Sequence, residues 1–202
     1  MSHRPAKSLL AITTLTLLTI WLCPSSVFHS TQAQAPSVQA VKDNEELARM
    51  FREDQADRMP PSGKPIDWAT VAPRDKARLA RAKELYAQNR LQTGADYYHA
   101  AMLLQHGVVP EDYLLAHEFC VVAISRGKND GDTRWLAAAS EDRFLMNIGR
   151  PQRFATQYQS IGPNSPMKLY TVDSGVTDEL RRALDVPPLA RAKEREAEMN
   201  RK

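Results

Sequence analysis

The sequence predicts a mainly α fold, a helical bundle of antiparallel helix pairs with a small C-terminal β-hairpin. Three observations point there. Between 43 and 147 apolar residues recur at helical spacing in successive stretches. Gly107, Pro110 and Gly127 fall at the ends of those stretches rather than inside them. After Pro151 the pattern changes to alternation on either side of a Gly-Pro-Asn-Ser-Pro turn, as a hairpin requires.

Length and composition set the frame. With 202 residues, 43% hydrophobic and 25% charged, the chain can build one well-cored domain but hardly two. Arg4 and Lys7 precede an uncharged run, Leu9 to Leu22, which has the length of an export signal and is short for a span needing about 20 apolar residues. Ala33-Gln34-Ala35 offers a cleavage pattern, giving a signal peptide over 1–35 and a linker over 36–42. The expected location is periplasmic or secreted; the alternative is membrane anchoring through an uncleaved N-terminal segment.

Of the 27 Lys plus Arg, two lie in 1–35, so 25 face 24 Asp plus Glu afterwards. A net charge so close to zero gives no electrostatic case for nucleic acid. Loss of Cys23 with the signal leaves Cys120 alone in the run FCVVAI, where a buried inert thiol is expected and no internal disulfide is available.

Taken in order, Asp43 or Asn44 caps a first helix running to about Arg58, with Glu45 and Glu46 suited to its first turn. Met59 to Pro65 breaks it. Asp67-Trp68-Ala69 reads as a short turn before Pro73, which opens a helix to about Arg90; its Arg74, Lys76, Arg78, Arg81 and Lys83 read as a solvated face. Thr93-Gly94 leads into an apolar helix ending at Gly107, where a left-handed cap is expected. Pro110 opens the next helix, closed by Gly127, so the two form an antiparallel pair.

Asp132 or Thr133 caps the helix that carries Trp135 to Met146. Gly149 and Pro151 separate it from an extended segment, and alternation from Ala155 to Ile161 and from Met167 to Val172 makes the hairpin. Thr177 caps a short helix before Pro187-Pro188. A single helical domain thus covers 43–188, and 189–202 is a charged, solvent-exposed C-terminal helix or tail.

The residues that could carry chemistry stand out because they are polar on apolar faces. Asp54 continues the stripe Leu47, Met50, Phe51, with Arg58 one turn on. Asp142 falls in the centre of the apolar face of its own helix, and Arg143 on its flank. An unpartnered buried charge costs several kcal/mol, on the order of 3 to 5 when a pair is broken. These groups must therefore meet partners. One reading is a structural ion-pair network tying the first helix to the Asp142 helix and the extended segment. The other is a polar pocket in which Asp54 and Asp142 act as acid and base.

His106, at a helix C-terminus that favours its charged form, is a further catalytic candidate and equally a helix-end histidine. Gln55, Arg58, Arg143, Gln152, Arg153, Thr156 and Gln157 are the candidate binding groups, their amides and guanidinium groups suiting a sugar, peptide or carboxylate. Gln152 and Gln157 can equally satisfy backbone groups as the chain leaves the bundle. His99 and His117 lack metal-ligand spacing, and HEFC has no second histidine four residues on, so no metal is expected. No cofactor fingerprint or hydrolase motif is present, and none is predicted to be needed.

Asp54-Gln55 with Arg58, Gln105-His106-Gly107, Asp142-Arg143 and the run Gly149-Arg150-Pro151-Gln152-Arg153-Phe154-Ala155-Thr156-Gln157 resemble an uncharacterised bacterial family, domain of unknown function 6624. The resemblance spans roughly 45–190. A glycine usually stands in that family where this chain has Ala155, so the local backbone is expected to differ. The resemblance implies no activity or cofactor, only that these polar residues form one recurring set. The expectation is therefore an exported binding or scaffold module with a polar Asp/Arg/His/Gln pocket for an envelope ligand or protein. A cell-envelope hydrolase using Asp54 and Asp142 is the alternative.

Overall fold

The computed structural model describes residues 41–61, 64–162 and 165–201. The expected signal peptide and all but the last two residues of the linker lie outside them. Among the described residues no helix is long and apolar enough to cross a membrane.

Among the described residues, seven helices and a two-stranded hairpin make the fold, mainly α as the sequence predicts. They are α1 (Glu45–Asp57), α2 (Trp68–Ala87), α3 (Gly94–Leu104), α4 (Pro110–Ser125), α5 (Gly131–Asn147), β1 (Tyr158–Gln159), β2 (Lys168–Leu169), α6 (Asp178–Ala183) and α7 (Leu189–Met199). Successive packing of α3 on α4 and α4 on α5 forms the centre, and α1 and α2 cover α3.

The main core gathers Leu47, Leu85, Leu103, Leu104, Phe119 and Leu136. A smaller one joins Ala138 of α5 to Phe154, Val176 and Val186, and so fixes the chain after Pro151 against the bundle. Cys120 is a buried free cysteine, as expected, its thiol pushed up to about 12 by burial.

Local chemistry explains the starts. Asn44 caps α1 through bonds from Glu46 N and Leu47 N, and its own N–H donates to Asp96. Asp96 is fully buried and also accepts from Gln92 N and Thr93 N, forming a capping box with Thr93 at the head of α3. One carboxylate thus pins the entry to α1 against the start of α3.

Two helix starts correct the sequence reading. α2 begins at Trp68, not Pro73, because Asp67 caps it, accepting from Thr70 N, and Val71 is buried. Pro73 is tolerated because Ala69, whose carbonyl its missing N–H leaves free, is exposed and can be hydrated. α5 is capped by Asp130, which accepts from both N and Oγ1 of Thr133, rather than by Asp132 or Thr133.

Gly107 is not left-handed: among the described glycines only Gly127 and Gly149 have positive φ. It is needed for space, since a Cβ there would run into the Asp112 side chain. Gly127 and Gly149 do end their helices, with the next residue bonding back, Lys128 N to Ala123 O at 2.9 Å and Arg150 N to Leu145 O at 2.8 Å.

The hairpin is shorter than the alternation suggests, Tyr158 pairing with Leu169 and Gln159 with Lys168. α7 is charged and largely exposed, as expected, but its inner side is docked. Glu196 accepts from Leu169 N and Asn200 both accepts from Met167 N and donates to Met167 O. Four residues apart on one face, they occupy the free backbone edge of β2.

Candidate functional site

Two polar clusters contain the residues singled out by the sequence. The first lies where α1, α2 and the end of α3 meet. Asp54 is fully buried with Leu47 and Met50. Its Oδ1 accepts from Arg58 Nη1 at 2.7 Å and its Oδ2 from Gln55 Nε2 at 2.8 Å. Arg58 then reaches Asp75 of α2, Nη2 to Oδ2 at 2.7 Å and Nη1 to Oδ1 at 3.3 Å. Arg78 Nη2 closes the network, donating to Asp57 at 2.7 Å and Asp75 at 2.8 Å.

The charges are balanced with these partners. Burial alone would raise Asp75, yet bonds from Arg58 and Arg78 outweigh it and hold the carboxyl below its ordinary value. Asp57 follows the same logic, burial opposing and Arg78 and Arg74 prevailing. For Arg78 burial weakens the charge, but Asp75 and Asp57 more than offset it and raise its pKa.

His106 sits beside this network without joining it. Its Nε2 is 3.3 Å from Asp54 Oδ1 but off a hydrogen-bonding line, and it has no other partner. The ring borders a cleft of about 600 Å³ with Trp68, Leu79 and Val109 on its apolar side and Lys76 and Lys83 on its rim. Lys83 is engaged by Asp112; Lys76 makes no ion pair among the described residues.

The second cluster lies on α5. Asp142 is fully buried, and Arg143 does not pair with it. Four donors from one loop surround the carboxylate: Arg153 N at 2.6 Å and Phe154 N at 2.9 Å on Oδ1, Thr156 N at 3.0 Å and Thr156 Oγ1 at 2.8 Å on Oδ2. Burial still dominates and raises the Asp142 pKa against those bonds. The loop can wrap the carboxylate because Ala155 is left-handed, φ 66°. The alanine therefore adopts the backbone that a glycine would favour, contrary to the expected local difference.

Both glutamines serve the backbone, one of the two roles foreseen. Gln152 Nε2 donates to the carbonyls of Gln157 and Tyr170, and its Oε1 accepts from Gln157 N at 2.8 Å. Gln157 Oε1 accepts from Arg143 Nε at 3.1 Å, while its Nε2 donates to Ala139 O and Thr156 Oγ1. Arg153 uses its side chain at the surface, near Glu141 and Asp173, each at 3.4 Å.

The clusters are joined, back to back, by the last turn of α3. Arg143 Nη1 donates to Gln105 O at 2.7 Å, and the next residue is His106. Burial lowers the Arg143 pKa, partly opposed by Tyr113, over whose ring its guanidinium lies at 5.8 Å. Asp54 and Asp142 share no hydrogen-bonding partner. The expected ion-pair network exists, but it ties α1 to α2 rather than to α5.

Arg78 was read as part of a solvated face and is only 7% exposed. The signal for it was present: with Val71, Ala82 and Leu85 it falls at spacings of seven, four and three along one helical stripe. Asp75, also missed, is one helical turn before Arg78, and Asp57, the residue before Arg58, reaches Arg74 and Arg78 across on α2. His117 Nδ1 meets Ala137 O at 2.9 Å, and half-buried His99 stacks on Phe51 at 4.6 Å between centroids. No group of three or more metal-ligating side chains occurs among the described residues.

Compared with protein families, curated proteins and solved structures, the chain matches none. Membership of domain of unknown function 6624 is thus not shown by a family match, and the resemblance rests on the quoted motifs alone.

Proposed function

We propose that the protein is an exported binding or scaffold module, periplasmic or secreted, whose envelope ligand or protein partner docks in the cleft beside His106. The observation that supports this most is the occupation of Asp142: four donors fill both its oxygens, leaving no lone pair directed at a substrate. A general acid or base needs its carboxyl within reach of the transferred proton. Asp54 is likewise engaged by Arg58 and Gln55 and lies behind His106.

The cleft offers what recognition uses. Trp68 and Leu79 supply apolar area, the His106 ring lines the wall, and Lys76 supplies a charge for orientation. The hydrolase alternative draws on the looseness of His106 and Asp54, a pair at 3.3 Å beside open space.

Trp68 emission reports on the cleft. Envelope glycans and peptides titrated against the full chain should change it, and the change should vanish in Trp68→Phe. Lys76→Ala and His106→Gln should each weaken that binding about tenfold. Binding unchanged in both variants contradicts the reading. Turnover of an envelope substrate that is lost in His106→Gln replaces it with hydrolysis.

A further inference from the structure

A second concave site lies between α7, α5 and the start of the hairpin, and none of its uses follows from the clusters above. It holds about 210 Å³. At about 30 Å³ per water in the liquid, that is space for several waters or for one ring-sized molecule, below the volume of a drug-sized pocket.

Its walls differ in character. Trp135 of α5 and Tyr158 of β1 form an aromatic side, and Pro187 continues it. Trp135 is 37% exposed although it starts the apolar run of α5. The Tyr158 hydroxyl donates to Ala192 O at 2.9 Å, which leaves its ring rather than its hydroxyl to line the site.

Beside Tyr158, α7 presents Arg191, Arg195 and Glu198, at i, i+4 and i+7 on one face. Arg191 is already engaged by Glu194 and Glu198. Arg195 makes no ion pair among the described residues and rests over the Tyr158 ring, 5.9 Å from its centroid. α7 is held in place by Asn200 and Glu196 on the β2 edge, so the arginine is presented from a fixed element.

We propose that this site binds a small ring-bearing monocarboxylate, its carboxylate on Arg195 and its ring against Trp135 and Tyr158. The planar fork of a guanidinium matches a carboxylate in two parallel hydrogen bonds. An aromatic ring or a sugar face stacks on indole and phenol. Glu198 decides between anions, because a doubly charged phosphate beside it meets like charge that a monoanion meets half as strongly.

The test titrates benzoate and glucuronate, with inorganic phosphate alongside, against the full chain and reads Trp135 emission. At least one carboxylate is expected to bind in the millimolar range, with phosphate weaker. Trp135→Phe should remove the signal and Trp68→Phe leave it. Arg195→Ala should weaken binding about tenfold without changing the unfolding midpoint, since the side chain is exposed. Three results overturn the proposal: no response to either carboxylate, equal affinity for phosphate, or unchanged affinity in Arg195→Ala. A carboxylate response carried by Trp68 also overturns it and moves the site to the His106 cleft.

Discussion

Arg58 and Asp75 are joined by two nearly parallel hydrogen bonds, 2.7 and 3.3 Å, that clasp α1 to α2. Arg58 also holds Asp54 at 2.7 Å, so one guanidinium serves two carboxylates on two helices. Its value to the fold is the avoidance of a buried unpaired charge more than the attraction itself. Arg58→Ala should therefore cost more than Asp75→Asn, because it strands the fully buried Asp54.

A double-mutant cycle on Arg58 and Asp75, read by urea unfolding, checks this. The coupling should fall at roughly 1 to 3 kcal/mol, the range for contacting residues in one network. Additive effects would mean that the two side chains do not share their partners as described.

Gly107→Ala tests the α3–α4 turn. An added methyl meets the Asp112 side chain, and overpacking of this kind costs about 1 to 3 kcal/mol. The paired variant Gly107→Ala with Asp112→Ala should regain part of the loss by opening the space. A left-handed requirement would show no such rescue.

Position 155 separates space from backbone strain. Relief of a left-handed alanine is worth about 1 to 2 kcal/mol. The extra unfolded freedom of glycine costs about 0.4 to 1 kcal/mol, and loss of a buried methyl about 0.8 kcal/mol. Ala155→Gly should thus be close to neutral in thermal unfolding. Ala155→Val, β-branched at positive φ, should destabilise clearly and loosen the bonds of Arg153 N and Thr156 N to Asp142.

Acid should act in two opposed ways. Asp57 and Asp75 lie below their ordinary values when folded. They stabilise above the unfolded value of about 3.9, and that contribution is lost as pH falls through their folded values. Asp142 is raised. Its stabilising contribution is complete below about 3.9 and is lost as pH rises through its folded value. Urea midpoints from neutral pH downward should show a gain before the acid loss, and Asp142→Asn should remove that gain while keeping the loss.

Much of this was legible before the structure. Asp54 was found because it continues Leu47 and Met50 on one face, and its burial follows from that face packing on α3. The same reasoning applied to Val71, Ala82 and Leu85 would have found Arg78, which its many basic neighbours disguised. Asp142 was recognised as buried, but not what holds it, since its partners are backbone N–H groups. Those are aligned by the left-handed turn at Ala155, a conformation that an alanine does not advertise. The meeting of Asp54 with Asp142 was expected from their similar positions on two helices. α3 stands between those helices, and its last turn, Gln105 and His106, receives one cluster on each side.

The central claim is that the buried carboxylates hold the fold, and Asp142→Asn measures it most directly. An amide puts two fixed N–H donors where one oxygen accepted from Thr156 N–H, a clash that the single O–H of a protonated Asp142 avoids by turning to Thr156 Oγ1. The amide so leaves a buried donor unsatisfied, at about 1 to 3 kcal/mol. Unfolding in urea, run beside a screen of cell-wall and ester substrates on the same samples, should show that loss of stability and no hydrolysis that depends on Asp142. A variant as stable as the parent that has lost a hydrolytic activity the parent possesses would contradict the account.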